Sequence, residues 1–330
     1  MSKELETLEE FLNMSVFSTD DVFAKFKTDK GGDVFTINGQ KCYFKPGTRK
    51  DKILLVAHAD TVWDKRYGMG LAFYDFEDEN QKNNKKASKP KKRKLVQKPI
   101  KQTEQVFYSD SEDMGIGADD RAGAAICYLL KDTGNSVLIT DKEEIGALSA
   151  RALMENKEFR KIIKEHRYIL QFDLRGDKKF KCYNVGSADF KAMLEVKTKY
   201  DMLPNSSFTD VAILGKDICG ANFSVGYYHE HTPYEYIDKA QWLKTLSVAK
   251  KLAKSRHQQF YTDPDFNKNF GEERFKKYME NRKNGKEDPE MFEIFDNISI
   301  AELEYGENSP YSKKDEDVKI EKENDGVVFE

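Results

Sequence analysis

The chain has 330 residues, of which 38% are hydrophobic and 12% aromatic, enough for one large domain or two small ones and too many for a wholly disordered protein. Charged residues reach 34% and the mean hydropathy is −0.76, so part of the chain is expected to be solvated appendage rather than core. Lys and Arg number 55 against 58 Asp and Glu, and the resulting net charge of −3 excludes a global field favouring nucleic acid or an anionic membrane.

The first predicted element is an acidic amphipathic helix with Leu5, Leu8, Phe11 and Leu12 on one face, which has the character of neither a signal nor a transit peptide. Residues 34–37 and 42–44 alternate as a hairpin closing through Asn38 and Gly39. The continuous apolar runs at 53–57, 137–140, 168–172 and 222–227 read as strands buried on both faces. Between them, helical patterns cover 119–131, 147–165 and 238–254, the last with Trp242, Leu243, Leu246, Ala249 and Leu252 on one stripe. Strands alternating with helices predict an α/β fold, a three-layer sandwich with a mostly parallel central sheet and helices on both faces.

Two stretches break this pattern. Gln81–Lys101 holds ten Lys or Arg and no acid, and is expected to be a long mobile basic loop within an insertion spanning about 75–105. The catalytic domain is expected to cover 1–258, with 259–330 a charged extension, partly helical or disordered, whose last 16 residues carry a net charge of −5. Cys42, Cys127, Cys182 and Cys219 form no CxxC pair, so a cysteine-based zinc or redox site is not expected. No apolar run approaches about 20 residues. A soluble cytoplasmic protein is the expectation.

The chemically informative residues fall at or just beyond the carboxyl ends of the predicted strands, where open α/β sheets place their sites. The strand at 53–57 runs into His58-Ala59-Asp60; in an extended chain these side chains point the same way, so Asp60 can orient a metal-bound His58 ring. Asp119 and Asp120 follow small residues and open a helix, a pattern that also suits an ordinary N-cap. The next strand ends at the turn carrying Glu143 and Glu144, Asp173 closes the strand after it, and His229 and His231 follow the last. His58, Asp119, Glu144, Asp173 and His231 together form a ligand complement for two zinc ions, in which two dications are neutralised by three carboxylates and one hydroxide.

HisAlaAsp at 58–60, GlyAlaAspAspArgAlaGly at 117–123, AspLysGluGluIleGly at 141–146, the strand-end Asp173 and HisThrProTyrGlu at 231–235, in this order, resemble the dinuclear zinc peptidases. That superfamily comprises leucyl aminopeptidases, tripeptidases, aminoacylases and glutamate carboxypeptidases. The resemblance implies His58 and Asp173 on one metal, Glu144 and His231 on the other, Asp119 bridging both, Glu143 as general base and Asp60 as the partner of His58. It also implies a cis peptide after Asp119. His229 and His231, two positions apart, would share a face on a strand; the family pattern favours His231 because Thr232, Pro233 and Glu235 follow it. Only 58 positions separate Asp173 from His231, too few for an inserted lid domain, so the single-domain aminopeptidase branch is nearer.

The implied reaction is amide hydrolysis by a metal-activated water on a small peptide, with Mn²⁺ or Co²⁺ able to replace Zn²⁺. N-acyl amino acid deacylation is the alternative on the same site, and Tyr227 or Tyr228 is close enough in sequence to His231 to donate to an oxyanion. A reading from another class, nucleic-acid binding through the basic loop at 81–101, lacks interleaved aromatics and a reading helix, and a non-catalytic scaffold is at odds with the full ligand set. Substrate side chain, native metal and oligomeric state are not legible.

Overall fold

The computed structural model describes residues 1–28, 30–64, 97–204 and 207–266. Helix α1 (Lys3–Leu12) is capped by the Ser2 side chain and buries Leu8, Phe11 and Leu12, as its periodicity predicts. Helix α2 (Asp20–Lys27), too short to carry a strong periodic signal, adds Val22, Phe23 and Phe26 to the same core. Strands β1 (Asp33–Ile37) and β2 (Gln40–Lys45) form the expected hairpin, with Ile37 opposite Gln40. Asn38 (φ 47°) and Gly39 (φ 76°) supply the two left-handed residues that a two-residue turn of the right twist requires.

Next come β3 (Leu54–His58), β4 (Lys101–Gln102), β5 (Val106–Tyr108), α3 (Ala118–Leu130), β6 (Ser136–Thr140), α4 (Leu148–Glu155) and α5 (Lys157–Lys164). They are followed by β7 (Ile169–Leu174), β8 (Lys179–Lys181), α6 (Ala188–Thr198), β9 (Asp201–Met202), α7 (Asp210–Leu214), β10 (Gly220–Ser224), β11 (Tyr227–Tyr228), β12 (Tyr236–Asp238) and α8 (Lys239–Lys254). The main sheet has the order β1-β2-β6-β3-β7-β10-β8-β9. Its four central strands, β6, β3, β7 and β10, are parallel, β1 and β2 run against their neighbours, and β8 is antiparallel to β10 and parallel to β9. A small antiparallel sheet, β11-β12-β5-β4, stands apart from it.

Alternation along the central strands sorts the core into two layers. Leu55 and Ala57 of β3, Val137 and Ile139 of β6, and Leu170 and Phe172 of β7 pack with α1, α2, α3 and α8. Leu54, Val56, Leu138 and Ile169, the intervening residues, pack with α4, α5 and α7. This is the three-layer sandwich predicted for strands buried on both faces. Helix α3 lies on the sheet through Ala122, Gly123, Ala124 and Ala125; a Cβ at Gly123 would collide with the Asp120 carboxylate and the Phe172 carbonyl.

Three expectations change. The helix predicted over 147–165 is two, because Asn156 adopts extended φ/ψ, ends α4, and turns its side chain to cap Phe159 N–H of α5. The basic insertion expected over 75–105 is fixed from residue 97: the Gln97 amide bridges Val16 N and Met14 O, and β4 and β5 pair within it. The basic residues of 81–96 lie outside the described residues. Past the boundary expected at 258, Phe260 and Phe266 are buried in the main core. Residues 267–330 also lie outside the described residues. The four cysteines are free and buried, and among the described residues no helix is long and apolar enough to cross a membrane.

Candidate metal centre

Parallel alignment of β3, β6 and β7 brings three strand ends to one edge of the sheet. His58, the last residue of β3, is fully buried and stands opposite Thr140 of β6 in register. The turn after β6 presents Glu143 and Glu144, and β7 ends with Asp173. Asp119 and Asp120 arrive on the same edge from the start of α3, where neither has helical φ/ψ and the peptide between them is cis, as the family resemblance implies.

The two aspartates divide the readings open from sequence. Asp120 accepts from His58 N at 3.2 Å and from Gly123 N at 2.9 Å, so it caps the helix and ties it to β3. Asp119 instead stands between the histidines: Oδ1 lies 3.0 Å from His58 Nε2 and Oδ2 lies 3.1 Å from His231 Nε2. Asp173 Oδ1 is 3.7 Å from His58 Nε2, and Glu144 Oε2 is 3.2 Å from His231 Nε2. The five residues singled out as ligands therefore converge on one edge of the sheet. His229 does not join them; its ring packs on Tyr236, and both histidines lie in a turn with left-handed φ (56° and 64°) rather than on a shared strand face.

Asp60 stands beside the His58 ring with both its backbone and its side chain. The His58 Nδ1 atom meets the Asp60 backbone carbonyl at 3.1 Å, with the carboxylate farther off at 3.5 Å. That carboxylate accepts the backbone N–H groups of Glu143 and Glu144, each at 3.1 Å. Of the two tyrosines, Tyr227 donates to Asp173 Oδ1 at 3.1 Å and Tyr228 to Gln241 at 2.8 Å.

Several supports escaped the sequence reading. Asp173 Oδ2 accepts from Gln171 at 3.1 Å and Thr209 at 2.8 Å. Glu235, almost fully buried, accepts from Gly117 N at 2.7 Å and Asp119 N at 3.2 Å, fixing the backbone that carries Asp119. Arg121 is fully buried and donates to the Ala59 carbonyl and, at 2.8 Å, to Ser15 O. Glu235 and Arg121 lie inside recognisable motifs; nothing local to Thr209 or Gln171 distinguishes them.

Burial, with the neighbouring Asp119 charge, raises the Asp173 carboxyl to about 6 and that of Glu144 to about 7. Burial likewise holds Glu143 well above the ordinary carboxylate range, with His58 opposing and the charges of Asp173, Asp210 and Glu144 adding. So many carboxylates packed against two imidazoles form a site short of positive charge. Glu144 Oε1 is buried without a hydrogen-bond partner. His58, Asp119 and Glu144 form one group of donor atoms within 4.8 Å of one another, and His58, Asp120 and Asp173 form a second. Hard oxygen and imidazole donors in this number, one of them orphaned, fit divalent cations such as Zn²⁺ or Mn²⁺.

No family model matches the chain, and no curated protein matches it. Solved structures do. The TET1 peptidase of Pyrococcus horikoshii superposes with a TM-score of 0.52 at 15% identity, covering 76% of this chain and 99% of that one. A tripeptidase from Staphylococcus aureus gives 0.50 at 13% identity, over 77% and 98% of the two chains. An aminopeptidase from the archaeon Desulfurococcus kamchatkensis gives 0.50 at 12%, over 76% and 93%.

Proposed function

We propose that the chain, which shares its fold with solved aminopeptidases, is a dinuclear metal-dependent exopeptidase of the aminopeptidase type. The observation that carries this reading is the placement of one carboxylate, Asp119, between two histidines that each have a further acid beside them. His58 and Asp173 would hold one metal, His231 and Glu144 the other, and Asp119 both. When bound, two such ions lower the pKa of water and polarise the scissile carbonyl.

The chain's own residues do the rest. Asp60 fixes the Glu143–Glu144 turn through both backbone amides, so that one acid can serve as ligand while its neighbour stays available for proton transfer. Glu143 takes the proton of the attacking water and returns it to the leaving amine, a role suited by a carboxyl whose affinity for protons burial has raised. Gln171, Thr209 and Tyr227 hold Asp173 from three sides, and Glu235 holds Asp119.

Elemental analysis of protein purified in metal-supplemented, chelator-free buffer should find two divalent ions per chain, and Asp119→Ala should lose both. Glu143→Gln should keep its metal and lose about 10²–10⁴ in kcat on peptide amides. Glu144→Gln should weaken metal binding instead. Metal-free wild-type protein, or the two glutamate phenotypes exchanged, would overturn the assignment.

A further inference from the structure

The small sheet turns a row of aromatic rings outward. Ile237 of β12 and Phe107 of β5 face each other in register and are buried in the core, so the pairs on either side of them, Tyr236 with Tyr108 and Asp238 with Val106, stand on the opposite face. Tyr228 of β11 is in register with Tyr236 as well, and these two rings lie nearly flat against each other, with centroids 5.2 Å apart and planes at 20°. The outer face therefore carries three tyrosines across three strands.

A cavity of about 470 Å³ opens here, within the range of about 300–1,000 Å³ usual for sites that enclose a small ligand. Tyr108, Tyr236 and Val106 line it and Tyr228 does not, so it lies on the Tyr108 side of the Tyr236 ring, away from the stack. Pro233 and Tyr234 bound it from the turn that carries His231, and Ser109 from the chain leaving β5. Asp110, which also lines it, is answered within the protein by Lys98 at 3.8 Å and Lys101 at 3.7 Å. What the cavity offers a ligand is ring surface more than charge.

The cavity adjoins the metal centre. Glu235, one of its lining residues, is the group whose carboxylate accepts from Asp119 N at 3.2 Å. The His231 side chain is 48% exposed, so the centre is open to a chain arriving from solvent. An exopeptidase holds one end of a peptide on its metals and lets the rest run out over the surface, advancing about 3.3–3.6 Å per residue. A cavity reached across the His231 turn is therefore within range of the first residues beyond the scissile bond. Tyr234 leaves 81% of its surface in water beside the cavity. A ring seated there would cover part of that surface and could stack, offset, on Tyr108 or Tyr236, both favourable contributions.

We propose that this cavity seats an aromatic side chain of the substrate on the leaving side of the scissile bond, so that the enzyme favours peptides with phenylalanine, tyrosine or tryptophan at the second or third position from the end it holds. The inference takes its setting from the exopeptidase reading, and the test separates the two. NMR titration of the metal-loaded wild type with N-acetylphenylalaninamide against N-acetylalaninamide, each blocked at both ends and so not open to an exopeptidase, reads the cavity without turnover. The aromatic amide should bind about ten- to a hundredfold more tightly, as expected for burying a side chain of that size. The ratio of kcat/KM for leucylphenylalanine over leucylalanine, or for leucylglycylphenylalanine over leucylglycylalanine, should favour the aromatic member by a similar factor; the first pair assigns the second position and the other pair the third. That ratio should fall toward one in Tyr108→Ala and in Tyr234→Ala, and persist in Tyr108→Phe, which keeps the ring. Equal binding of the two blocked amides by the wild type overturns the proposal whether or not the variants fold. So does tighter binding of N-acetyllysinamide, which would give the cavity to Asp110 and Glu112. Ring-selective binding without hydrolysis of any peptide would leave the cavity standing and sink the exopeptidase reading, and hydrolysis with no aromatic advantage in binding or kcat/KM would do the reverse.

Discussion

Two carboxylates near the centre grip backbone amides. Asp60 receives two adjacent amides of the Glu143–Glu144 turn, and Glu235 receives Gly117 and Asp119. A carboxamide in either place could accept only one of its two N–H donors and would turn its own NH₂ against the other. Asp60→Asn and Glu235→Gln should therefore each weaken metal binding by about 10- to 100-fold, the usual effect of losing a group that orients a ligand. Competition with a chromogenic chelator measures this, and wild-type affinity in both variants would show these contacts to be dispensable. At this scale the sequence is legible wherever a ligand ends a buried strand, as with His58 and Asp173. It does not reveal that the Asp60 carboxylate also holds the Glu143–Glu144 turn, because those amides are 83 and 84 positions away in the chain.

Legibility at the scale of elements follows burial and length. The central strands β3, β6, β7 and β10 are buried along their whole length, and the apolar runs announce them. Strands β4, β5, β8, β9, β11 and β12 have only two or three residues, too few for a local period to mark them. One junction of elements makes a quantitative prediction. His166, at the end of α5, is fully buried with Nδ1 3.0 Å from Ile163 O and Nε2 2.7 Å from the Ser136 hydroxyl of β6. The carbonyl requires an Nδ1 proton, so Nε2 accepts from Ser136 and the ring is held neutral; burial lowers its pKa to about 4. The unfolded chain, with histidine near 6.5, then binds more protons, so the His166 contribution is complete above about pH 6.5 and fades as pH falls toward 4. The loss amounts to roughly 3 kcal/mol if the whole shift is expressed. Urea denaturation should show wild-type stability falling from pH 7 to 4.5, with a shallower fall in His166→Gln. An equal slope in the two proteins would place the acid sensitivity elsewhere, His257 being the next candidate since burial also lowers its pKa to about 4.

For the whole molecule, the open question is how its strongly charged stretches act on a chain of nearly balanced charge. The two described ends of residues 65–96 meet at one place: Thr61 donates to Val16 O at 2.8 Å, and Gln97 contacts both Val16 N and Met14 O at 2.9 Å. Arg121 binds Ser15 beside them and reaches the Ala59 carbonyl, and Gly117, two positions before Asp119, has Val16 and Thr61 against it. The segment therefore leaves and rejoins the body next to the loop that carries Asp119. Neighbouring ends can be joined by a short linker, and shortening a loop costs little in closure entropy. Deleting 81–96 removes eight Lys or Arg and should leave metal content and thermal midpoint unchanged. If those cations gather acidic peptides, the advantage of glutamyl over glutaminyl amides in kcat/KM should shrink in the deletion variant at low salt. The difference between deletion and wild type should then vanish at 1 M salt, where the Debye length falls to about 3 Å. A ratio indifferent to both salt and deletion would mean that the basic segment has no part in choosing substrate.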